Sequence, residues 1–127
     1  MIAFVAALSL VQALVIERAE LPANSPTTAE IVRRPSGMAT TAFLDQLIAD
    51  AGATQWRRID RTVPYRGIEL RIVGLVRTEG DGLMFFLPAA EGATGNVCRI
   101  RRVSEGQPGP ESEAALHYCL GAVAAGR

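Results

Sequence analysis

The chain has 127 residues, enough for one domain and not for two. Its 13 basic and 13 acidic residues cancel, which leaves no basic excess of the kind a general nucleic-acid binder carries. Every basic residue is arginine, whose planar fork suits carboxylate and phosphate, so any cationic patch here is built for oxyanions.

Residues 2–16 form an apolar run broken only by Ser9 and Gln12. A membrane span needs about 20 apolar residues, so the run is short for that role and fits the apolar region of a secretory signal. Val11-Gln12-Ala13 supplies small residues for cleavage after Ala13. No Lys or Arg precedes the run, which leaves the amino terminus as its only positive charge. Two alternatives stay open: an uncleaved inner-membrane anchor reaching residue 16, and a buried helix of a cytosolic protein. From Leu14 to Gly37 the chain is punctuated by Pro22, Pro26 and Pro35, with Asn24, Ser25, Thr27 and Thr28 between them. That composition predicts a flexible linker or mature N-terminal arm, with at most one short strand over Ala29–Arg33.

A single domain is then expected over 38–127. Phe43, Leu44, Leu47, Ile48 and Ala51 repeat at helical spacing, predicting a helix over Met38–Ala51 with Ser36, Thr40 or Thr41 as its cap and Gly52 as its stop. Gln55–Val63 is ambiguous, and one reading is an edge strand ended by Pro64. Ile68–Thr78 is the clearest strand, because Ile68, Leu70 and Ile72 alternate with Glu69 and Arg71. Glu79-Gly80-Asp81-Gly82 is turn chemistry, and Leu83–Leu87 a short buried strand before Pro88. Asn96–Val103 is the next strand, with Cys98 and Ile100 on one side and Val97, Arg99 and Arg101 on the other. After a Gly/Pro loop over 105–110, a final helix is expected over Glu111–Ala125. The expected fold is α+β: an antiparallel meander of three or four strands, flanked in sequence by two helices packed on one face.

Cys98 and Cys119 are the only cysteines. In the last helix Leu116, Cys119, Leu120 and Val123 form the stripe that should face the sheet, and Cys98 shares a strand side with Ile100. Both sulfurs therefore aim at the helix–sheet seam, and an export signal with an even cysteine count fits a disulfide. Such a bond contributes roughly 3 kcal/mol in the chain-entropy model.

Catalytic and metal signatures are weak. His117, the only histidine, lies two residues from Cys119 on a helix and so points away from it, which opposes both a thiol–imidazole pair and a metal site. There is no Gly-x-Ser-x-Gly elbow and no phosphate-loop lysine. No catalytic residue, metal or cofactor is therefore assigned. Asp60, Glu69 and Asp81 read as solvated acids, and Trp56 as a core residue or a ligand platform.

Charge is unevenly distributed. Residues 54–78 carry six arginines against Asp60 and Glu69, and Arg99, Arg101 and Arg102 follow on a later strand. With Arg71, Arg99 and Arg101 at outward positions, a helix-free sheet face would present arginines to solvent. The expected function is an exported, periplasmic or secreted binding module that docks an acidic protein or anionic envelope component through Arg71, Arg99, Arg101 and Trp56. The alternative is a small secreted hydrolase of cell-envelope material working through paired carboxylates.

Overall fold

The computed structural model describes residues 15–21, 27–78, 81–90, 92–103 and 110–127. The segment read as a signal, residues 1–13, lies outside the described residues, as do Glu79, Gly80 and the loop over 104–109.

Six strands and two helices follow one another as β1 (Val15–Arg18), β2 (Thr27–Val32), α1 (Thr40–Asp50), β3 (Arg57–Tyr65), β4 (Ile68–Thr78), β5 (Asp81–Pro88), β6 (Val97–Val103) and α2 (Pro110–Ala124). The strands form one antiparallel sheet in the order β1-β2-β6-β5-β4-β3. The class is α+β, and the expected four-strand meander is β3 to β6. The sheet is larger than expected because the proline-punctuated stretch over 14–37 supplies β1 and β2. The second of these pairs Thr27–Val32 with Val97–Arg102 of β6, so the supposed arm lies inside the sheet.

Local chemistry explains the elements. The hairpin between β3 and β4 turns on Arg66 and Gly67, both at positive φ, the two-residue turn whose twist matches the strands it joins. β3 runs through Pro64 to Tyr65 rather than stopping before it, because an edge strand tolerates a missing donor. α1 begins at Thr40 after Ala39, which makes no side-chain cap. Instead the Thr40 hydroxyl lies 2.8 Å from the Ala93 carbonyl and 2.9 Å from that of Gly95, tying the helix start to the β5–β6 loop. α1 ends in a Schellman motif: Gly52, at φ 67, donates to the Ala49 carbonyl and Ala53 donates to that of Ile48.

The two helices lie on opposite faces of the sheet, not on one. Phe43, Leu44, Leu47 and Ile48 of α1 pack with Val32, Val73, Leu75, Leu83, Phe85, Leu87 and Val97. Ala115, Cys119, Ala122 and Val123 of α2 pack with Ala29, Ile31, Leu70, Phe86 and Cys98. Successive strand residues point to opposite faces, so Val97 and Cys98, like Phe85 and Phe86, belong to different cores. The physical reason is the run Leu83 to Leu87. Leu83, Phe85, Phe86 and Leu87 are all buried, and a strand apolar on both sides must be covered on both. Cys98 and Cys119 are joined across the second core, with Cα atoms 5.3 Å apart.

Candidate functional site

The strand register gathers Glu30, Asp60, Arg71, Asp81, Arg99 and Arg101 on the face that carries α1. Glu30 lies opposite Arg99, Asp60 opposite Val73, Arg71 opposite Leu87, and Arg101 opposite Leu83. α1 covers the middle of this face, and the charged side chains border it.

Each of three carboxylates here is shared by two arginines. Glu30 accepts hydrogen bonds from Arg99, with Nε at 3.0 Å, and from Arg18, with Nη2 at 3.1 Å. Asp60 takes the fork of Arg71 at 3.1 and 2.7 Å, and Arg58 at 3.3 Å. Asp81 is paired with Arg77, and Nη2 of Arg101 stands 3.9 Å from its other oxygen. Glu30 and Asp81 are each only 6 % exposed, so the inner end of two triads is dry. The outer arginines are solvated: the side chains of Arg18 and Arg77 are 67 % and 54 % exposed.

The electrostatics follow from these contacts. Burial pushes the Glu30 carboxyl up, but the hydrogen bonds and charges of Arg99 and Arg18 outweigh it and hold the group below the ordinary carboxylate range. Asp60 is held low by the Arg71 hydrogen bond, against a smaller opposing effect of burial and with help from Arg58. Arg71 is raised in turn, chiefly by the bond to Asp60. Carboxylates kept ionised in this way fix arginines in place and are poor proton donors, which weighs against Glu30 or Asp60 as the acid of a hydrolase.

Trp56 joins the Asp81 triad. The Arg77 and Arg101 guanidinium carbons lie 5.3 and 5.7 Å from its ring centroid, within cation–π range. The ring is half-buried against the α1 core, and it lines an open depression of about 280 Å³ together with Asp45, Ile48, Ala53, Thr54, Arg58 and Leu75.

The residues expected at the site are thus partly assembled. Trp56 and Arg101 meet, while Arg99 belongs to the Glu30 triad and Arg71 to the Asp60 triad. The helix-free arginine face is not what forms: Arg71, Arg99 and Arg101 share their face with α1, and each has a carboxylate neighbour. Asp81 is buried rather than solvated, and Asp60 is shared by two arginines; Glu69 is exposed as expected. Glu30, Arg18 and Arg77 were missed. The signal for Glu30 was a lone acid in the otherwise uncharged Thr27–Val32, a position that demands a cationic partner when buried. His117 is exposed, 3.7 Å from Glu113 one turn earlier on α2.

Among the described residues no cluster of His, Cys, Asp and Glu could hold a metal ion, and no helix is long and apolar enough to cross a membrane. Comparison with protein-family models, with curated proteins and with solved structures returns no match.

Proposed function

We propose that this protein is an exported, disulfide-stapled binding module that docks an anionic partner, an acidic protein or an anionic envelope component, on the α1 face. The observation that carries this reading is the repeated arginine–carboxylate–arginine triad. Each triad keeps a surplus positive charge, and its carboxylate orients two guanidinium groups before any ligand arrives. A guanidinium has five N–H donors and a carboxylate engages only one or two of them, so donors remain for an incoming oxyanion. Preorganised donors bind with less loss of side-chain entropy than free arginines. Trp56 supplies a flat apolar surface beside two of these groups.

Export is supported by the Cys98–Cys119 bond, which is consistent with an oxidising compartment such as the periplasm. Cleavage after Ala13 would leave all of β1, from Val15, in the mature chain.

The test uses the single tryptophan as reporter. Poly-L-glutamate and polyphosphate, standing for acidic protein and phosphate polymer, are titrated against the full chain and against Arg18→Gln/Arg77→Gln. That pair leaves Glu30 with Arg99 and Asp81 with Arg101. The reading expects a Trp56 fluorescence change, affinity that falls with salt, and at least tenfold weaker binding by the variant, measured at a temperature where circular dichroism shows the variant folded. Equal binding by wild type and variant, or no binding of either polymer, overturns it.

A further inference from the structure

The other face of the sheet is covered only in part. α2 rests mainly on β2, β6 and β5. Towards the β3 edge, the two large apolar side chains most exposed in the described residues, Ile59 at 41 % and Met84 at 37 %, stand in one row across the sheet. Between them, opposite both in register, is Gly74 in the interior of the eleven-residue β4.

Nothing inside the chain explains that glycine. Its φ is not in the left-handed region, and a Cβ placed on it would meet nothing closer than Ile59, at 3.9 Å. Glycine weakens a strand interior, and it recurs where another molecule approaches a sheet closely. Gly82, two strand positions away, is different, because a Cβ there would strike the Leu75 carbonyl oxygen at 2.6 Å. Gly74 therefore opens a notch between Ile59 and Met84 that the fold itself does not require.

Size and charge indicate what fills it. From β3 to β5 is two strand spacings, about 10 Å. That is the width of one α-helix with its side chains, and α2 lies alongside, over β2, β6 and part of β5. Arg57 and Arg61 alternate with Ile59 on β3 and so share this face, and neither forms an ion pair among the described residues. Of the sheet carboxylates, Glu30, Asp60, Glu69 and Asp81 lie on the α1 side, and Glu17 is on β1 at the far edge of the sheet. The uncovered strip is thus apolar along its centre, cationic at its border and without a carboxylate. A second copy of the same strip would set arginine against arginine, and the apolar run over 2–16 brings no acid to meet them.

We propose that this strip docks an amphipathic helix of a partner protein, whose apolar stripe lies over Gly74 between Ile59 and Met84 and whose acidic flank meets Arg57 and Arg61. The surface is distinct from the α1 face, and Arg18→Gln/Arg77→Gln leaves it intact.

Two 18-residue designed helical peptides with the same leucine stripe, one flanked by glutamate and one by lysine, are titrated against the full chain and followed by amide exchange. The glutamate peptide should bind at least tenfold more tightly than the lysine peptide and protect the amides around Ile59, Gly74 and Met84. Gly74→Val should weaken binding at least tenfold with no loss of thermal stability, while Arg18→Gln/Arg77→Gln should leave it unchanged. Arg57→Glu/Arg61→Glu should reverse the peptide preference. Equal binding of both peptides, binding of neither, self-association through the strip, prior protection of those amides by residues 1–14, or sedimentation with phosphatidylglycerol vesicles that the glutamate peptide does not displace would each overturn the proposal.

Discussion

Phe85 and Phe86 are adjacent in β5 and fully buried in different cores, one under α1 and the other under α2. This back-to-back pair sets the layering of the molecule. Phe85→Ala and Phe86→Ala should each destabilise the fold by about 3–5 kcal/mol, because each empties a closed interior. Urea unfolding checks this. Near-wild-type stability in either variant would mean that one face of β5 is open to water, as a two-layer arrangement requires.

The staple between Cys98 and Cys119 closes a loop with a sequence separation of 21. Replacing both by alanine should lower stability by about 3 kcal/mol, measured by urea midpoint against the oxidised protein. Intact mass of the unreduced protein should be lower by two hydrogens than that of the reduced form.

Arg99 and Arg18 hold the same carboxylate from unequal positions. The Arg99 side chain is largely buried beside Glu30 and Arg18 is mostly solvated. Arg99→Gln should cost about 3 kcal/mol, since a buried charge loses its inner partner. Arg18→Gln should cost less than about 1 kcal/mol. Thermal melts of the two variants and of Glu30→Gln/Arg99→Gln check the ordering, and the double variant should recover part of the Arg99→Gln loss.

Acid should unfold the protein partly through Glu30 and Asp60. Both titrate below their ordinary values of 4.5 and 3.8 in the folded protein. The unfolded chain therefore takes up protons first as pH falls. The stabilisation is complete above about pH 5 and is lost as pH drops through the lower, folded pKa values. Glu30→Gln should flatten this acid limb in urea midpoints measured between about pH 6 and pH 2.

Gly82 offers a simpler check on packing. Its open side faces the Leu75 carbonyl oxygen, at 2.6 Å from where a Cβ would sit. Gly82→Ala should destabilise by about 1–3 kcal/mol through forced backbone movement between β4 and β5, read as a drop in melting temperature.

Much of this fold is legible from side-chain period alone. Ile68–Thr78, which alternates through Ile72, is β4 to the residue, and the α2 stripe with Cys98 on the Ile100 side placed the disulfide. What was misread has identifiable causes. β2 looked like linker because the prolines and small polar residues before it set the local composition, while the residues that stabilise it lie on β6. Face assignment failed at Leu83–Leu87, where a continuous apolar run signals cover on both sides and had been matched to one. Arg71, Arg99 and Arg101 were correctly put on one side of their strands. That Glu30, Asp60 and Asp81 share the side is a property of register between distant strands, which no local pattern carries.

The sheet order has a consequence for how the molecule is made. Glu30 and Arg99 are 69 positions apart, so β2 is synthesised early and must wait for the last strand before it has a neighbour on its inner side. A chain emerging amino-terminus first holds two half-sheets with raw edges until β6 slots between them. Cys98 travels in that same closing strand, so its bond to Cys119 ties the last strand to the last helix and latches the closure.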